Sequence, residues 1–290
     1  MAKTTALKRR IKSVRNTKQI TKAMELVAAS KMRRAQQQAL ATRMFRETAH
    51  GILNRLGGVS DVRRHPLFAN RAIKNRLTVI VSSDTGLAGA YDANVLKRLA
   101  LQLGEDRQNK QNSKVIAIGK RGSQFVSRLV GVELIGAYPS FSTQPKASEV
   151  RPIVESIFSL YKNEKVDAVT IIYTQFISSI RQEVKVLNLL PASLDSEETK
   201  ISELEVAIFE PSVESIVDSV VTRLLELQLW QAVLESLASE HSMRMIAMKN
   251  ATDNASDIID DLTLEFNTAR QASITQEIAE IVGGAEAVNN

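Results

Sequence analysis

The 290-residue chain contains no cysteine, so it has no disulfide framework, no thiolate nucleophile and no cysteine-ligated metal. That fits a reducing compartment. Aromatic residues make up only 4% of it, fewer than a large packed core uses and in keeping with long helices. No run approaches the roughly 18 apolar residues that a membrane-spanning helix needs. Met1-Ala2-Lys3 opens no apolar signal core, so secretion is not expected. Pro and Gly, the strongest helix breakers, are missing from Met1 to His50 and again from Ser212 to Val282. Acidic residues are scarce at the start as well: residues 1–46 hold thirteen Lys and Arg against Glu25 alone. Their net +12 leaves −6 for the other 244 residues of a chain whose total is +6. An Arg-rich, acid-poor start also describes a mitochondrial transit peptide, but here the pattern runs unbroken into a structural helix. Such a basic helix attracts polyanions: nucleic acid, anionic lipid or an acidic protein surface.

What is present at the C-terminal end is a seam. Alternate steps of four and three from Val213 reach Val217, Val220, Leu224, Leu227, Gln231, Leu234, Ala238, His241, Met245, Met248, Thr252, Ala255, Ile259, Leu262, Phe266, Ala269 and Ser273. Gln231, His241, Thr252 and Ser273 are the polar members. A sustained 3.5-residue repeat keeps one stripe facing a partner helix and imposes a left-handed supercoil. At about 1.5 Å per residue the segment is roughly 105 Å long, too long for a single domain of this size to bury. The N-terminal stretch offers the partner, roughly 75 Å long by the same rise. Its apolar stripe is Leu7, Ile11, Val14, Ile20, Met24 and Val27, with a phase slip after Val14 and small residues Thr21, Ala23, Ala28 and Ala29 allowing close approach. Termini that pair around an intervening domain run antiparallel, and this pairing brings Ala28 near Leu262. Either stripe docking alone on a globular core is the bland alternative.

Between the helices the composition changes to an α/β rhythm. Strands are predicted at Leu77–Val81, Val115–Ile118, Val132–Ile135, Ala168–Tyr173 and Val184–Leu190. Helices are predicted over Ala93–Leu103, from Gly119 through Val130, and over Ser148–Asn163. Alternation of this kind implies an open, doubly wound, mostly parallel sheet, the last two strands forming an antiparallel hairpin. The expected organisation is an N-terminal coiled-coil helix over 1–56, a connector over 57–75, a Rossmann-like α/β domain over 76–211, and a C-terminal coiled-coil helix over 212–290. Ser212 is the expected N-cap of that last helix.

Few residues suggest chemistry. Gly86 and Gly89 follow Ser82-Ser83-Asp84 at a strand end, where such sheets bind phosphates, yet neither the Walker lysine nor the dinucleotide spacing is there. A structural turn is the expectation, as it is for Gly119-Lys120-Arg121-Gly122. His50, His65 and His241 lie far apart and form no metal-ligand pattern. No catalytic residue, cofactor or metal is predicted.

Four ordered blocks carry a resemblance. Ile20-Thr21-Lys22-Ala23-Met24-Glu25-Leu26-Val27-Ala28-Ala29-Ser30-Lys31 resembles the N-terminal helix of the gamma subunits of F-type ATP synthases. Ser83-Asp84-Thr85-Gly86-Leu87-Ala88-Gly89 resembles the turn of their α/β domain, and Glu240 to Ala255 a block in the middle of their last helix. Ile274 to Ala287 fits their I-T-x-E-x-x-E-x-x-x-G-A signature. The stretch from Lys110 to Ser202 shares little with that pattern.

The resemblance implies a non-catalytic central rotor shaft. It would couple proton flow through a membrane ring to conformational cycling of catalytic sites. Its partners would be the alpha and beta subunits of the head, the epsilon subunit and the membrane c-ring. By the same resemblance Arg244 and Gln271 would meet catalytic-subunit loops, and Met24, Lys31, Arg33, Thr275 and Glu277 would lie at the torque-bearing level. Phe209 and Glu210 would lie near the membrane ring and epsilon. The implied place is the cytoplasmic face of a bacterial plasma membrane, bound peripherally without insertion; the matrix side of a mitochondrial inner membrane is the alternative. The redox cysteine pair of plant-type relatives has no counterpart. Two rival readings remain. A nucleic-acid-binding coiled coil would lack stacking aromatics across 1–44, and a nucleotide-dependent enzyme would lack its motif.

Overall fold

Leu77-Thr78-Val79-Ile80-Val81 is β-branched and apolar without alternation, and it forms the middle of a sheet buried on both faces. The computed structural model of the chain describes residues 2–56, 67–68, 71–141, 146–191 and 213–289. The elements run α1 (Ala2–Leu56), β1 (Asn75–Val81), α2 (Tyr91–Gln108), β2 (Asn112–Ile118) and α3 (Lys120–Val126). There follow β3 (Val132–Tyr138), a 3-10 turn at Ala147–Val150, α4 (Arg151–Lys162), β4 (Ala168–Phe176), β5 (Gln182–Leu190) and α5 (Val213–Asn289). Long N- and C-terminal helices thus flank a mixed, mostly parallel sheet, as the sequence predicts. The predicted N-cap Ser212 and most of the connector 57–75 lie outside the described residues. Contacts divide the chain into two compact units, Met1–Ala28 with Arg244–Asn290, and Ala29–Met243.

In the larger unit the strand order is β3-β2-β1-β4-β5. The first four strands pair in parallel, and β5 returns antiparallel to β4. Ile80, Val115, Ala117 and Ile172 meet Val95 and Leu99 of α2 and Val126 of α3 on one face. Leu77, Val79, Val81, Ile116, Ile118, Val169 and Ile171 meet Ile153, Val154, Ile157 and Tyr161 of α4 on the other, where Leu224 to Ala238 of α5 complete the cluster. The spacing of α2 is clean: Tyr91, Val95, Leu99, Gln102 and Asp106 are buried, and Asp106 accepts bonds from Arg76, Gln102 and Ser113. One predicted helix is shorter than expected. α3 stops at Val126, ahead of the fully exposed Val130 and the left-handed Gly131 (φ 85°).

Within this unit α5 is not a two-helix seam. From Leu229 to Glu240 every residue except Glu235 is buried, so the helix is covered nearly all round. The heptad positions Leu224, Gln231, Leu234 and Ala238 are buried, but so are Ala232, Val233, Ser236 and Ser239 between them. The sheet and its neighbours supply the cover that a single partner helix cannot.

The smaller unit holds the seam itself. Leu7 and Ile11 pack against Leu262, with Val14, Ile259, Phe266 and Ala269 around them. Further along, Thr21 Oγ1 and Thr252 Oγ1 lie 2.8 Å apart in a buried hydrogen bond. Rising numbers on α1 meet falling numbers on α5, so the pairing is antiparallel. Two expectations are corrected here. There is no phase slip after Val14: the inward positions of α1 run Leu7, Ile11, Val14, Lys18, Thr21, Glu25 and Ala28, with Met24 of the expected stripe half-buried beside Glu25, while Ile20 and Val27 are 60% and 54% exposed. An unbroken repeat keeps its phase unless residues are inserted, and Thr21 tolerates burial because Thr252 satisfies its hydroxyl. Leu262 meets Leu7 and Ile11 rather than Ala28. Periodicity fixes which face turns inward but leaves axial register open.

Candidate functional site

The carboxyl ends of β1 and β2 are where an open parallel sheet would hold a phosphate. Here protein carboxylates take that position. Asp84 Oδ1 accepts the Lys120 N–H at 2.8 Å and the Ser140 N–H at 3.1 Å. Asp92 accepts from the Ser83 N–H at 2.9 Å and the Ser83 hydroxyl at 2.6 Å. Ser82 Oγ accepts the Gly122 N–H at 2.8 Å and donates to the Ile118 carbonyl. The amides an anion would need are therefore already engaged by two carboxylates and a hydroxyl of the chain itself. Gly119 leaves β2 at φ 96°, and a Cβ there would lie 2.1 Å from the Ser82 carbonyl oxygen. The glycine is a close-packing device at this turn. Among the described residues no cluster of His, Asp and Glu could hold a metal ion.

The surface of the paired helices offers more. Lys8, Arg9, Arg10, Lys12, Arg15, Lys22, Arg33 and Arg34 of α1 are exposed. Among the described residues Lys22 alone of these cations is in an ion pair, with Glu25 at 3.0 Å on its own helix. The one acid of the stretch is thereby used locally, and the paired stretch of α5, with Asp253, Asp257, Asp260, Asp261 and Glu265 exposed, offsets only part of the positive field. Interleaved with it are exposed apolar side chains, Ile20, Leu26 and Val27. Ile20 and Val27 are two turns apart and share one face. On α5 a second set, Ile274, Ile278 and Ile281, is likewise exposed at spacings of four and three.

The predicted contact residues fall around these surfaces. Met24 and Lys31 are half-buried and Arg33 is exposed. Gln271, Thr275 and Glu277 are exposed on α5, where the Thr275 hydroxyl donates to the Gln271 carbonyl and Glu277 accepts from Ser273. Arg244 is buried, 9% exposed, so any outside group reaches only its rim. Phe209 and Glu210 lie outside the described residues.

The family model described as ATP synthase matches residues 3–288. The ATP synthase gamma chain of Alkaliphilus metalliredigens (strain QYMF) is 40% identical over 286 residues, 97% of each chain. That of Ralstonia nicotianae (strain ATCC BAA-1114 / GMI1000) is 39% identical over 293, covering 99% of this chain and all of the relative. The chain belongs to the ATP synthase gamma-chain family.

Chains from solved ATP synthase structures share the fold. One from the Euglena gracilis mitochondrial ATP synthase, in a structure of its OSCP, F1 and c-ring, aligns with TM-score 0.69 at 18% identity, covering 99% of this chain and 95% of that one. Another, from the central stalk and c-ring of the Tetrahymena thermophila enzyme, gives 0.63 at 24% identity over 80% of this chain and 99% of its own. Hydropathy reads Ile20 and Val27 as inward because an exposed apolar residue looks in sequence like one kept for a core. The one signal available was their misfit with the 3.5-residue phase set by Leu7, Ile11 and Val14.

Proposed function

We propose that the chain is the non-catalytic central rotor shaft of an ATP synthase, coupling proton flow through a membrane ring to the cycling of catalytic sites. The observation that carries this reading is the exposed face of α1. It is basic, with Lys22 alone of its exposed cations ion-paired among the described residues, and interleaved with Ile20, Leu26 and Val27, in a chain of the gamma family. Twelve net charges repel one another unless a counter-surface is supplied. An acidic, partly apolar ring interior of alpha and beta subunits supplies one. Met24, Lys31, Arg33, Thr275 and Glu277 act at the torque-bearing level, Gln271 and the rim of Arg244 meet catalytic-subunit loops, and Phe209 and Glu210 face the epsilon subunit and the c-ring. An asymmetric shaft touches three equivalent catalytic sites differently and so holds them in different states, which is a differential interaction with alternative conformations. Rotation exchanges those states. Association with the membrane is peripheral: no helix of the described residues is long and apolar enough to cross one.

The chain itself binds no nucleotide in this account, because Asp84, Asp92 and Ser82 occupy the amides that would cradle a phosphate. Titrating the full chain with ATP, ADP and NAD should give no heat of binding. A micromolar affinity would reopen the enzyme reading. The wider test is co-purification: the tagged chain should bring down a complex with ATPase activity. Reversing Lys8, Arg9, Arg10, Lys12, Arg33 and Arg34 together should abolish coupled synthesis, whereas single reversals cost at most about 1 kcal/mol of interaction. Unchanged coupling in the multiple variant would contradict the electrostatic part.

A further inference from the structure

The sheet ladder is broken beside β4. Pairing of β1 with β4 ends at Ile80↔Ile172, while β4 runs on to Phe176 with β5 on its other edge alone. Thr174, two residues past the break and 2% exposed, would leave a buried amide and carbonyl without strand partners. The helix supplies them. The Thr174 N–H donates to Ser236 Oγ at 3.0 Å, and Ser239 Oγ donates to the Thr174 carbonyl at 3.2 Å. One helical turn on, Ser242 Oγ donates to the Ser179 carbonyl at 2.7 Å and accepts from Gln182 Nε2 at 3.3 Å. Gln182 Nε2 also reaches the Ser178 and Ser179 carbonyls, so the β4–β5 turn is tied to the same helix.

We propose that Ser236, Ser239 and Ser242 make α5 a surrogate strand beside β4, a polar joint that fixes the rotational phase of the helix on the sheet and carries torque between them. Apolar burial around Leu229, Ala232, Val233 and Ala238 holds the helix in place but is non-directional. Hydrogen bonds are directional, and three serines at spacings of three can meet fixed backbone groups in one rotational setting only. Alanine at all three positions keeps the burial and deletes the direction. The serines are positioning residues: they touch no substrate. The torque role rests on the rotor reading above; the joint itself does not.

The experiment uses the purified assembly carrying the triple variant Ser236→Ala, Ser239→Ala, Ser242→Ala, with the single Ser236→Ala in reserve should the triple variant fail to assemble. Amide exchange at Thr174 should rise about tenfold or more, as expected when a buried donor loses its partner. Restoring Ser236 alone should slow exchange at Thr174 but not at Arg181 and Gln182. Restoring Ser242 alone should do the reverse. A label on the exposed Val130→Cys then reports angular spread during pauses in ATP-driven rotation, which should widen in the variant. Unchanged exchange at Thr174 would overturn the joint whatever the rotor does. Faster exchange with unchanged angular spread would overturn the torque role. A wild-type label that never turns would overturn the torque role together with the rotor reading, while the exchange measurement still decides the joint.

Discussion

Gly119 sits at φ 96° with the Ser82 carbonyl where a side chain would begin, so two separate penalties meet at one atom. Gly119→Ala should lose roughly 3 kcal/mol of stability or more, read from urea midpoints at constant m-value. An unchanged midpoint would mean the turn relaxes and the glycine is dispensable. Tyr161 makes the opposite prediction. Its ring lies 4.5 Å from the Arg71 guanidinium, whose N–H groups hold the carbonyls of Tyr161 and Val166, but its own hydroxyl is buried without a hydrogen bond. Burial pushes that hydroxyl above its usual range, Arg71 pulling the other way. Tyr161→Phe deletes a desolvated oxygen and keeps the ring, so stability should stay level or rise by about 1 kcal/mol. A clear loss would show that the hydroxyl has a partner. Asp84→Ala strips two amides of their acceptor and should cost about 1–3 kcal/mol without creating nucleotide binding.

The pairing of α1 with α5 carries its own prediction. Thr21 and Thr252 share a buried bond in a seam otherwise made of Leu7, Ile11 and Leu262, so each should depend on the other. Valine at both positions should show a coupling of about 0.5–1.5 kcal/mol in a double-mutant cycle; additivity would mean that the pair is packing alone. The strands were legible because burial on both faces leaves continuous β-branched runs such as Thr78 to Val81. The length of α5 was legible because no breaker interrupts it. The face of α1 was not. Between Lys18 and Ala28 the covered positions are Lys18, Thr21, Met24, Glu25 and Ala28, while Ile20 and Val27 look outward, so a rule that follows apolarity keeps Met24 but misplaces its neighbours. Ser236, Ser239 and Ser242 were silent for a related reason: a hydroxyl that completes a broken ladder reads in sequence like any surface polar residue. The expected contact residues Met24 and Gln271 came from the resemblance, and the fold adds that Met24 is half-buried and Gln271 exposed.

For the molecule as a whole, the concentration of positive charge in the first 46 residues and the uncovered apolar side chains on the same helix suit the enclosed shaft proposed above. The central claim is that α1 and α5 turn as one body against their surroundings, not against each other. Because the chain has no cysteine, bonds can be introduced one at a time. Thr21→Cys with Thr252→Cys replaces two oxygens 2.8 Å apart across the seam and can be checked against disulfide geometry. Lys31→Cys, paired with a cysteine in a neighbouring catalytic-ring subunit, locks the helix to what encloses it. Oxidising the first pair should leave ATP hydrolysis and proton pumping intact, and oxidising the second should stop both until reduction restores them. Arrest of turnover by the bond between Thr21→Cys and Thr252→Cys would mean that the two helices must slide against each other, and the single-body rotor would be wrong.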